Sequence, residues 1–444
     1  MLTKLHSNLL IVGVMAYLCV AYAMPGRALT LVSLASLGAY VTQLAMLLYF
    51  TRTATRPYSA PLLFGLTLGY TMLAGILFME LSWYYEGDTF MFSKSDAFFY
   101  YAESTKAASM GLADGARYLM QHYKYDDWGS LLLDMCLMWV VPSKYLLNLT
   151  YVLMGACSTV WLYDIGRKVM PQGYAFMAAL AYGTSSYIIF YHCSFLKESA
   201  FVFLVIGAMH GLYRFMERNS VVPLLEAGLC VVLILFFRPA VAAMLVCGAF
   251  AYYGYVLKGR ALSVFLYLMA ALCVAGAAQT AGESIDQYTA GGNMDLIVST
   301  TSNSNYSGSF NYFMSFIAAL IGPFPSLYPQ ESGVTHLVFY GAGLTYKLFL
   351  ALPFWFGAFW IIKERHTMLF PLLFFILLEM LATAYVCASM ELRKVLLHVP
   401  FMYIIAFFGL HHYIESNDRL RLRPAVYYLF GIAVLGVWNL LRVK

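Results

Sequence analysis

Long apolar runs separated by short polar connectors make up most of the chain. About 13 of these runs reach or approach the roughly 20 mainly apolar residues that a membrane-spanning helix needs. They lie at residues 8–24, 28–50, 60–82, 144–166, 173–191, 199–216, 221–237, 240–257, 261–280, 341–362, 367–388, 395–414 and 424–441. Residues 129–141 are too short to cross and are interpreted as re-entrant or interfacial. The pattern predicts an all-α polytopic integral membrane protein with about 13 transmembrane helices.

Basic residues indicate how these helices are oriented. With Lys4 in the cytoplasm, every inner connector carries Lys or Arg, as expected for short cytoplasmic loops. The inner connectors contain Arg52, Arg56, Arg167, Lys168, Arg214, Arg218, Lys258, Arg260, Lys363, Arg365, Arg419, Arg421 and Arg423. Residues 8–23 also have the outline of a cleavable signal peptide. We favour an uncleaved first helix, because a second apolar run follows almost at once.

Two long outer-face loops, residues 83–143 and 281–340, follow from this orientation, and each is predicted to carry an interfacial helix. The second is rich in Gly, Ser, Thr and Asn, which is typical of a loop. A loop of this length is usually functional. Because the chain has no clear internal repeat, residues 1–444 are interpreted as a single transmembrane domain.

Composition supports the membrane interpretation and excludes an ordinary soluble domain. Hydrophobic residues make up 62% of the chain, charged residues 11%, and the mean hydropathy is +0.72. The net charge of +5 is interpreted by location, because basic residues lie in every inner connector. It gives no indication of nucleic-acid binding. The eight cysteines lie mostly within apolar runs without C-x-x-C spacing, so we interpret them as small apolar residues.

Ionisable residues at or near membrane depth are the informative exceptions, because each costs about 2.5–3.5 kcal/mol at a helix centre on insertion scales. Four such groups reach the predicted outer face: Asp96, Lys197–Glu198, Arg238, and Glu391 with Arg393. Each has a structural alternative. Asp96 and Glu198 suit the N-terminal ends of helices, and Arg238 and Arg393 suit the lipid interface.

The shared face of these groups favours a common site over four separate anchors. Carboxylates can deprotonate a hydroxyl, and nearby Arg and Lys can neutralise a leaving phosphate. The planar guanidinium of Arg238 matches phosphate oxygens well. This combination indicates transfer of a sugar from a lipid-phosphate carrier.

Several motifs resemble the polytopic type-C glycosyltransferase superfamily (GT-C). In "SDAFFYYAES", Asp96-Ala97, Tyr100 and Ala102 resemble its D-[AE]-x-x-Y-x-x-A context, with the last small residue one position early. Residues 142–214 resemble the next region of that family. "ILFFRPAVAAML" is similar to its Arg-Pro turn, and "ELRKVLLHVPFMYIIAFF" to its late Arg-x-x-x-x-x-x-P pattern.

The resemblance implies a GT-C-like core at residues 60–414, two extra N-terminal helices within 1–59 and a C-terminal helix within 415–444. It implies Asp96 as the catalytic base, and it places Arg238, Arg393 and Lys197 at the donor phosphate. The remaining cavity or acceptor residues are Glu198, Tyr100, Asp126, Asp127, Glu391 and His192. The chain departs from the family in its extra helices and in lacking a second acid beside Asp96.

Alternatives stay open at this point. Asp88, Glu103 and Asp114 compete for the base role, as do Asp126-Asp127, which precede Trp128 and suit an acceptor sugar or a divalent ion. No metal ligand or cofactor is assigned, and Mg²⁺ or Mn²⁺ stays an alternative. The histidines have no metal-ligand spacing with one another; those considered are His122, His192, His336 and His398.

The leading hypothesis is a glycosyltransferase at the outer face of a bacterial inner membrane, active in cell-surface polysaccharide assembly. Its partners would be a polyprenyl-phosphate-linked or diphosphate-linked sugar, membrane lipids, and a glycan or lipid-linked acceptor. The "LKES" turn and "IGPFPS" are similar to O-antigen polymerases, so polymerisation of lipid-linked repeat units is one alternative. A transporter or flippase of an anionic lipid-linked substrate is another.

Overall fold

The computed structural model describes residues 2–23, 31–52, 58–90, 96–218, 220–256, 327, 341–387, 395–415 and 424–441. Over these residues the regular structure is entirely helical. The α-helices are α1 (Leu2–Ala23), α2 (Leu31–Arg52), α3 (Ala60–Glu86), α4 (Asp96–Ser109), α5 (Leu112–His122), α6 (Trp128–Val140), α7 (Lys144–Arg167), α8 (Gln172–Gly183), α9 (Ser186–Cys193), α10 (Glu198–Arg218), α11 (Val221–Leu235), α12 (Pro239–Val256), α13 (Gly341–Lys363), α14 (Phe370–Cys387), α15 (Val399–Glu415) and α16 (Pro424–Leu441). Short 3-10 turns at Tyr125–Asp127 and Thr367–Leu369 precede α6 and α14.

Five helices of the described chain are long and apolar enough to cross a membrane. The qualifying segments are Ser33–Arg52, Ala60–Glu86, Lys144–Arg167, Glu198–Arg218 and Gly341–Lys363. Shorter apolar helices accompany them, including Val221–Leu235 and Val399–Ile414. Every predicted run coincides with a helix or a helix pair, except 261–280, which lies outside the described residues. The total of about 13 spans therefore stays a prediction.

One predicted span is divided in two. The run 173–191 forms α8 and α9, separated by Thr184 and Ser185. Thr184 ends α8 by donating both its N–H and its hydroxyl to the carbonyl of Leu180, and the Ser186 hydroxyl accepts the N–H of Gly343 at 2.9 Å. Thr184, Ser185 and Ser186 are all buried. A break at this depth is tolerated because the surrounding helices, not lipid, enclose its polar groups.

Helices α13 and α15 approach each other closely. A Cβ atom on Gly409 would lie 2.2 Å from the carbonyl oxygen of Pro353, so only glycine permits this approach. Small residues at such crossings replace the hydrophobic driving force that lipid cannot supply. The same region buries three ionisable side chains, Lys347, Glu379 and His398.

The first long loop is a small helical unit. Helices α4, α5 and α6 enclose a separate apolar cluster made of Tyr100, Ala107, Leu119, Leu131 and Met135. The Ser104 hydroxyl donates to the carbonyl of Leu131 at 3.2 Å and joins α4 to α6. The loop 83–143 thus forms a packed support for its polar residues. Apart from Leu327, the second loop lies outside the described residues.

Candidate functional site

The turn between α9 and α10 brings Lys197 to the first long loop. Its Nζ lies 2.5 Å from Oδ1 of Asp127, which ends the 3-10 turn before α6. Both side chains are largely shielded, with exposures of 14% for Lys197 and 26% for Asp127. Shielding strengthens the pair relative to a surface ion pair. We call Tyr100, Asp127 and Lys197 the Asp127 cluster.

Tyr100 completes the cluster from α4. Its hydroxyl donates to Oδ1 of Asp127 at 3.0 Å, and Nζ of Lys197 lies 5.9 Å from the centre of its ring. Burial raises the pKa of Tyr100 well above its usual range, and the negative charges of Asp127, Glu198 and Asp96 add to that increase. The phenol therefore stays protonated and keeps donating to Asp127. Three carboxylates act on one hydroxyl group here.

Asp96 is the first residue of α4 and is partly exposed. It stands four residues before Tyr100, so the two side chains share one face of the helix. The charge of Asp96 acts on the Tyr100 hydroxyl, so Asp96 lies beside the Asp127 cluster. Its position in the first helical turn agrees with both the structural and the catalytic interpretation of this acid.

The backbone of the "SFLKES" turn is unusual. Phe195 has φ of +57°, a left-handed conformation that costs a non-glycine residue roughly 1–2 kcal/mol. Its buried ring contacts Phe90 with ring centres 5.6 Å apart, and this packing holds the turn in place. Lys197 follows two residues later. Strained backbone of this kind tends to occur at functional sites.

Glu198 begins α10 and is only 4% exposed. Its Oε2 atom is buried, and among the described residues it has no hydrogen-bond partner. Buried polar atoms are rarely left in this state. The orphaned oxygen is therefore a candidate acceptor for a hydroxyl or an N–H that the protein itself does not supply.

Arg238 lies in the turn between α11 and α12, beside the same end of α10. Its guanidinium carbon is 5.6 Å from the ring centre of Phe201, which stacks in parallel with Phe237 at 5.8 Å. Phe201 is one helical turn after Lys197, and its N–H donates to the Lys197 carbonyl at 3.1 Å. The structure thus brings a second cation to the face that carries the Asp127 cluster.

A glycine fixes how the Arg238 turn meets α6. The N–H of Gly129 donates to the carbonyl of Phe236 at 2.9 Å, and a Cβ on Gly129 would lie 2.4 Å from the ring of Phe237. Tyr125 adds ring contacts to Trp128 at 5.0 Å and to Phe236 at 5.7 Å. These rings form an aromatic wall beside Asp127. Such a wall suits the apolar face of a sugar.

The other candidate residues are placed as follows. His192 is buried between helices, where its Nδ1 pairs with the Ser199 hydroxyl at 2.7 Å. The competing acids have local partners: Asp88 accepts the N–H of Phe90, Glu103 accepts the hydroxyl of Tyr118, and Asp114 pairs with Arg117. The side chain of Asp126 and residues Glu391 and Arg393 lie outside the described part of the chain.

Two features were not singled out from the sequence. Asp134, in the short apolar run, is fully buried and accepts a hydrogen bond from the hydroxyl of Tyr151. Glu379 pairs with His398 and interacts electrostatically with Lys347, all at exposures of 3% or less. In each case the available signal was a charge isolated within an apolar stretch.

The described residues also contain a cavity of about 460 Å³ at the other end of α7 and α10. Arg167, Arg214 and Arg218 line it together with Asp164 and His210. The cavity lies at the ends of α7 and α10 that are opposite to Lys197, and it is separate from the Asp127 cluster.

Among the described side chains, one group of three could hold a metal ion. It lies apart from both the Asp127 cluster and the cavity, and it consists of Glu364, His366 and His412.

No protein-family model matches the sequence, and neither does any curated protein sequence. Several solved protein chains are similar to this one, including the following two structures. The apo form of the Archaeoglobus fulgidus oligosaccharyltransferase is 13% identical over 88% of this chain and 56% of its own, with a TM-score of 0.47. Archaeal oligosaccharyltransferase AglB from the same organism, in complex with an inhibitory peptide and a dolichol-phosphate, is 12% identical over 78% and 51%, with a TM-score of 0.39. The chain spans about half the length of these two structures.

Proposed function

We propose that this chain is a membrane glycosyltransferase that moves a sugar from a polyprenyl-phosphate-linked donor to an acceptor hydroxyl, in assembly of a cell-surface glycan at the outer face of the inner membrane. The observation that carries the proposal is the convergence of Asp96, Asp127, Lys197 and Arg238 at one end of the helical bundle. They come from separate parts of the chain, and the Lys197–Asp127 contact spans 70 residues.

In the proposed reaction each of these residues has a separate role. Asp96 accepts the proton of the acceptor hydroxyl, whose oxygen forms a bond to the anomeric carbon of the donor sugar. The bond from that carbon to the phosphate oxygen breaks, and the electron pair leaves with polyprenyl phosphate. Arg238 stabilises the charge that develops on the phosphate. Arg393 is a second proposed phosphate ligand.

In this proposal Lys197 does more than bind phosphate, because its charge is already paired with Asp127. It holds Asp127 against the Tyr100 hydroxyl and so fixes the acceptor side of the site. Glu198 contributes Oε2, which has no hydrogen-bond partner among the described residues, as an acceptor for a hydroxyl of the acceptor sugar. Tyr125 and Trp128 provide the aromatic face.

The test uses the full chain in proteoliposomes with radiolabelled polyprenyl-phosphate-linked glucose, mannose or galactose, and it measures release of polyprenyl phosphate by mass spectrometry. Asp96→Asn should lower the rate by roughly 10²–10⁴-fold, the usual contribution of a general base. Asp114→Asn is the matched control, because Asp114 lies in the same loop but is exposed and paired locally with Arg117. Full activity of Asp96→Asn would remove the base assignment.

Arg238→Ala tests the phosphate contact in the same assay. Loss of a desolvated charge contact should weaken donor binding by roughly 2–5 kcal/mol, seen as a higher KM. Arg117→Ala is the control for loss of one positive charge. Unchanged donor binding in Arg238→Ala would favour an arginine that only contacts lipid phosphate at the interface.

A transporter or flippase of an anionic lipid-linked substrate is the second candidate. The observation in its favour is the buried group of Lys347, Glu379 and His398, since ionisable residues enclosed by membrane helices often mark transport pathways. A fluorescent polyprenyl-phosphate glucose in proteoliposomes distinguishes the two. Movement of the intact lipid between leaflets without release of polyprenyl phosphate would support the transporter.

A further inference from the structure

Three metal-ligating side chains meet at the end of α13, away from the Asp127 cluster. Nε2 of His366 lies 2.9 Å from Oε2 of Glu364, and Nδ1 of His412 lies 4.0 Å from the same oxygen. The three atoms all lie within 4.8 Å of one another. Glu364 and His366 belong to the turn between α13 and α14, whereas His412 lies in the last part of α15.

The types of ligand and their spacing fit a divalent transition metal. Two imidazole nitrogens and one carboxylate oxygen form a set that Zn²⁺ binds tetrahedrally at roughly 2.0–2.2 Å. A tetrahedron of that size separates its ligand atoms by about 3.3 Å. The two separations that involve Glu364, 2.9 and 4.0 Å, lie on either side of that value, and the two imidazole nitrogens lie within 4.8 Å of each other. Small side-chain rotations would bring all three atoms to one ion.

The backbone of this turn positions His366 with unusual geometry. Arg365 has φ of +55°, the left-handed conformation that glycine normally supplies at the end of a helix. This reversal lets the N–H of His366 donate to the carbonyl of Ile361 at 3.0 Å. The His366 side chain therefore lies beside the Glu364 side chain. A non-glycine residue in this conformation indicates that the surrounding contacts fix the turn.

Aromatic rings hold the two imidazoles in place. The His412 ring lies 4.5 Å from Phe408 and stacks on Trp360 at 5.9 Å, and the His366 ring contacts Phe408 edge-on at 5.0 Å. The neighbouring cation Lys363 is held over the Trp360 ring, with Nζ 4.4 Å from its centre. The imidazole pair is therefore oriented before any ion binds.

We propose that Glu364, His366 and His412 form a Zn²⁺ site that joins the turn after α13 to the end of α15. Three protein ligands leave one tetrahedral position for water. The site crosslinks two helices that are already in close contact, and it stabilises this end of the bundle. On the sidedness predicted from the basic connectors, it faces the cytoplasm. It does not depend on the glycosyltransferase proposal.

The test measures Zn²⁺ binding by the full chain in detergent, purified with a tag that contains no histidine and stripped with a chelator. Titration with ZnCl₂ should show saturable binding of one ion per chain and an increase in Tm. Glu364→Gln, His366→Gln and His412→Gln should each weaken binding by roughly 10–100-fold or more, since even outer partners of metal ligands contribute that much. Each should also lose the increase in Tm.

His411→Gln is the matched control. His411 adjoins His412, but its ring packs against Tyr174 of α8 at 4.8 Å. This variant should bind Zn²⁺ as the unaltered protein does. Equal losses in His411→Gln and His412→Gln, or wild-type binding by His366→Gln and His412→Gln, would overturn the proposal.

A second measurement needs no substitution and covers variants that fail to fold. Co²⁺ in a tetrahedral site with nitrogen and oxygen ligands absorbs visible light far more strongly than octahedral Co²⁺. Added to the stripped protein, Co²⁺ should give the tetrahedral spectrum, and ZnCl₂ should abolish it. An octahedral spectrum, or one that Zn²⁺ does not displace, would contradict the assigned ligands.

Discussion

At the residue scale, single charges in apolar surroundings acquire partners that lie far away in the sequence. Lys197 pairs with Asp127, and Glu379 pairs with His398. These pairings explain how the membrane-depth charges are tolerated, because an unpaired ion in such surroundings would be strongly destabilising. Glu198 differs, since one of its oxygens has no hydrogen-bond partner within the described chain. That difference makes Glu198 the proposed contact for a hydroxyl of the acceptor.

The Lys197–Asp127 pair should behave as a coupled unit. Lys197→Met leaves a shielded carboxylate without its cation, so it should lower stability more than the double variant Lys197→Met/Asp127→Asn. We expect a coupling energy of about 0.5–3 kcal/mol in a double-mutant cycle measured by thermal unfolding. The exposed pair Asp114–Arg117 provides the control cycle and should show little coupling. Additive effects at Lys197 and Asp127 would contradict the pairing.

At the element scale, turns determine where the candidate site residues lie. The α9–α10 turn uses a left-handed Phe195, the α13–α14 turn uses a left-handed Arg365, and the α11–α12 turn is held against α6 by Gly129. The helices form the scaffold, and these turns set the direction of the side chains at the helix ends. Two of the three turns therefore include backbone strain.

Gly129→Ala should displace the Arg238 turn from α6. The new methyl group would overlap the Phe237 ring, and overpacking of this kind costs about 1–3 kcal/mol. Stability in detergent should fall, and donor KM should rise because Arg238 moves. Gly228→Ala on α11 is the control, as a Cβ there meets nothing within 4 Å. Equal behaviour of the two variants would argue against a fixed contact at Gly129.

Arg365→Gly should stabilise the protein relative to Arg365→Ala. Both remove the guanidinium, but only glycine relieves the left-handed strain, which is worth about 1 kcal/mol. Thermal unfolding without added metal compares the two directly. If alanine is as stable as glycine at this position, the positive φ of Arg365 is not maintained in solution.

At the scale of the whole molecule, the two ends of the bundle are chemically distinct. The Asp127 cluster and Arg238 occupy one end of α10, whereas Arg214, Arg218 and the arginine-lined cavity lie toward the other. The distribution of basic connectors predicts that the Asp127 cluster faces outward.

Cysteine labelling of intact spheroplasts tests this orientation. In a variant without native cysteines, Asp114→Cys should react with a membrane-impermeant maleimide added outside, while Glu217→Cys should react only after permeabilisation. Both positions are exposed, so accessibility to the reagent is not limited by burial. Labelling of residue 217 but not residue 114 from outside would reverse the sidedness and with it the proposed location of the reaction.

The sequence by itself determined where the long apolar helices lie and that the chain belongs in a membrane. Both properties are local: an apolar run of sufficient length must satisfy its own backbone hydrogen bonds, and it does so as a helix. The sequence also identified Asp96, Lys197 and Arg238 as charges that need an explanation. It could not show which acid of the first loop pairs with Lys197, because Asp127 and Lys197 are 70 positions apart in the sequence.

Only the tertiary structure decided which of those acids meets Lys197. The choice of Asp127 depends on the packing of α4 to α6 and on the left-handed turn at Phe195, and neither follows from a local pattern. The division of the 173–191 run had the same origin, because neighbouring helices enclose its polar residues. Charge pairing across tens of residues is set by how helices pack, since a few ångströms determine whether an ion pair forms.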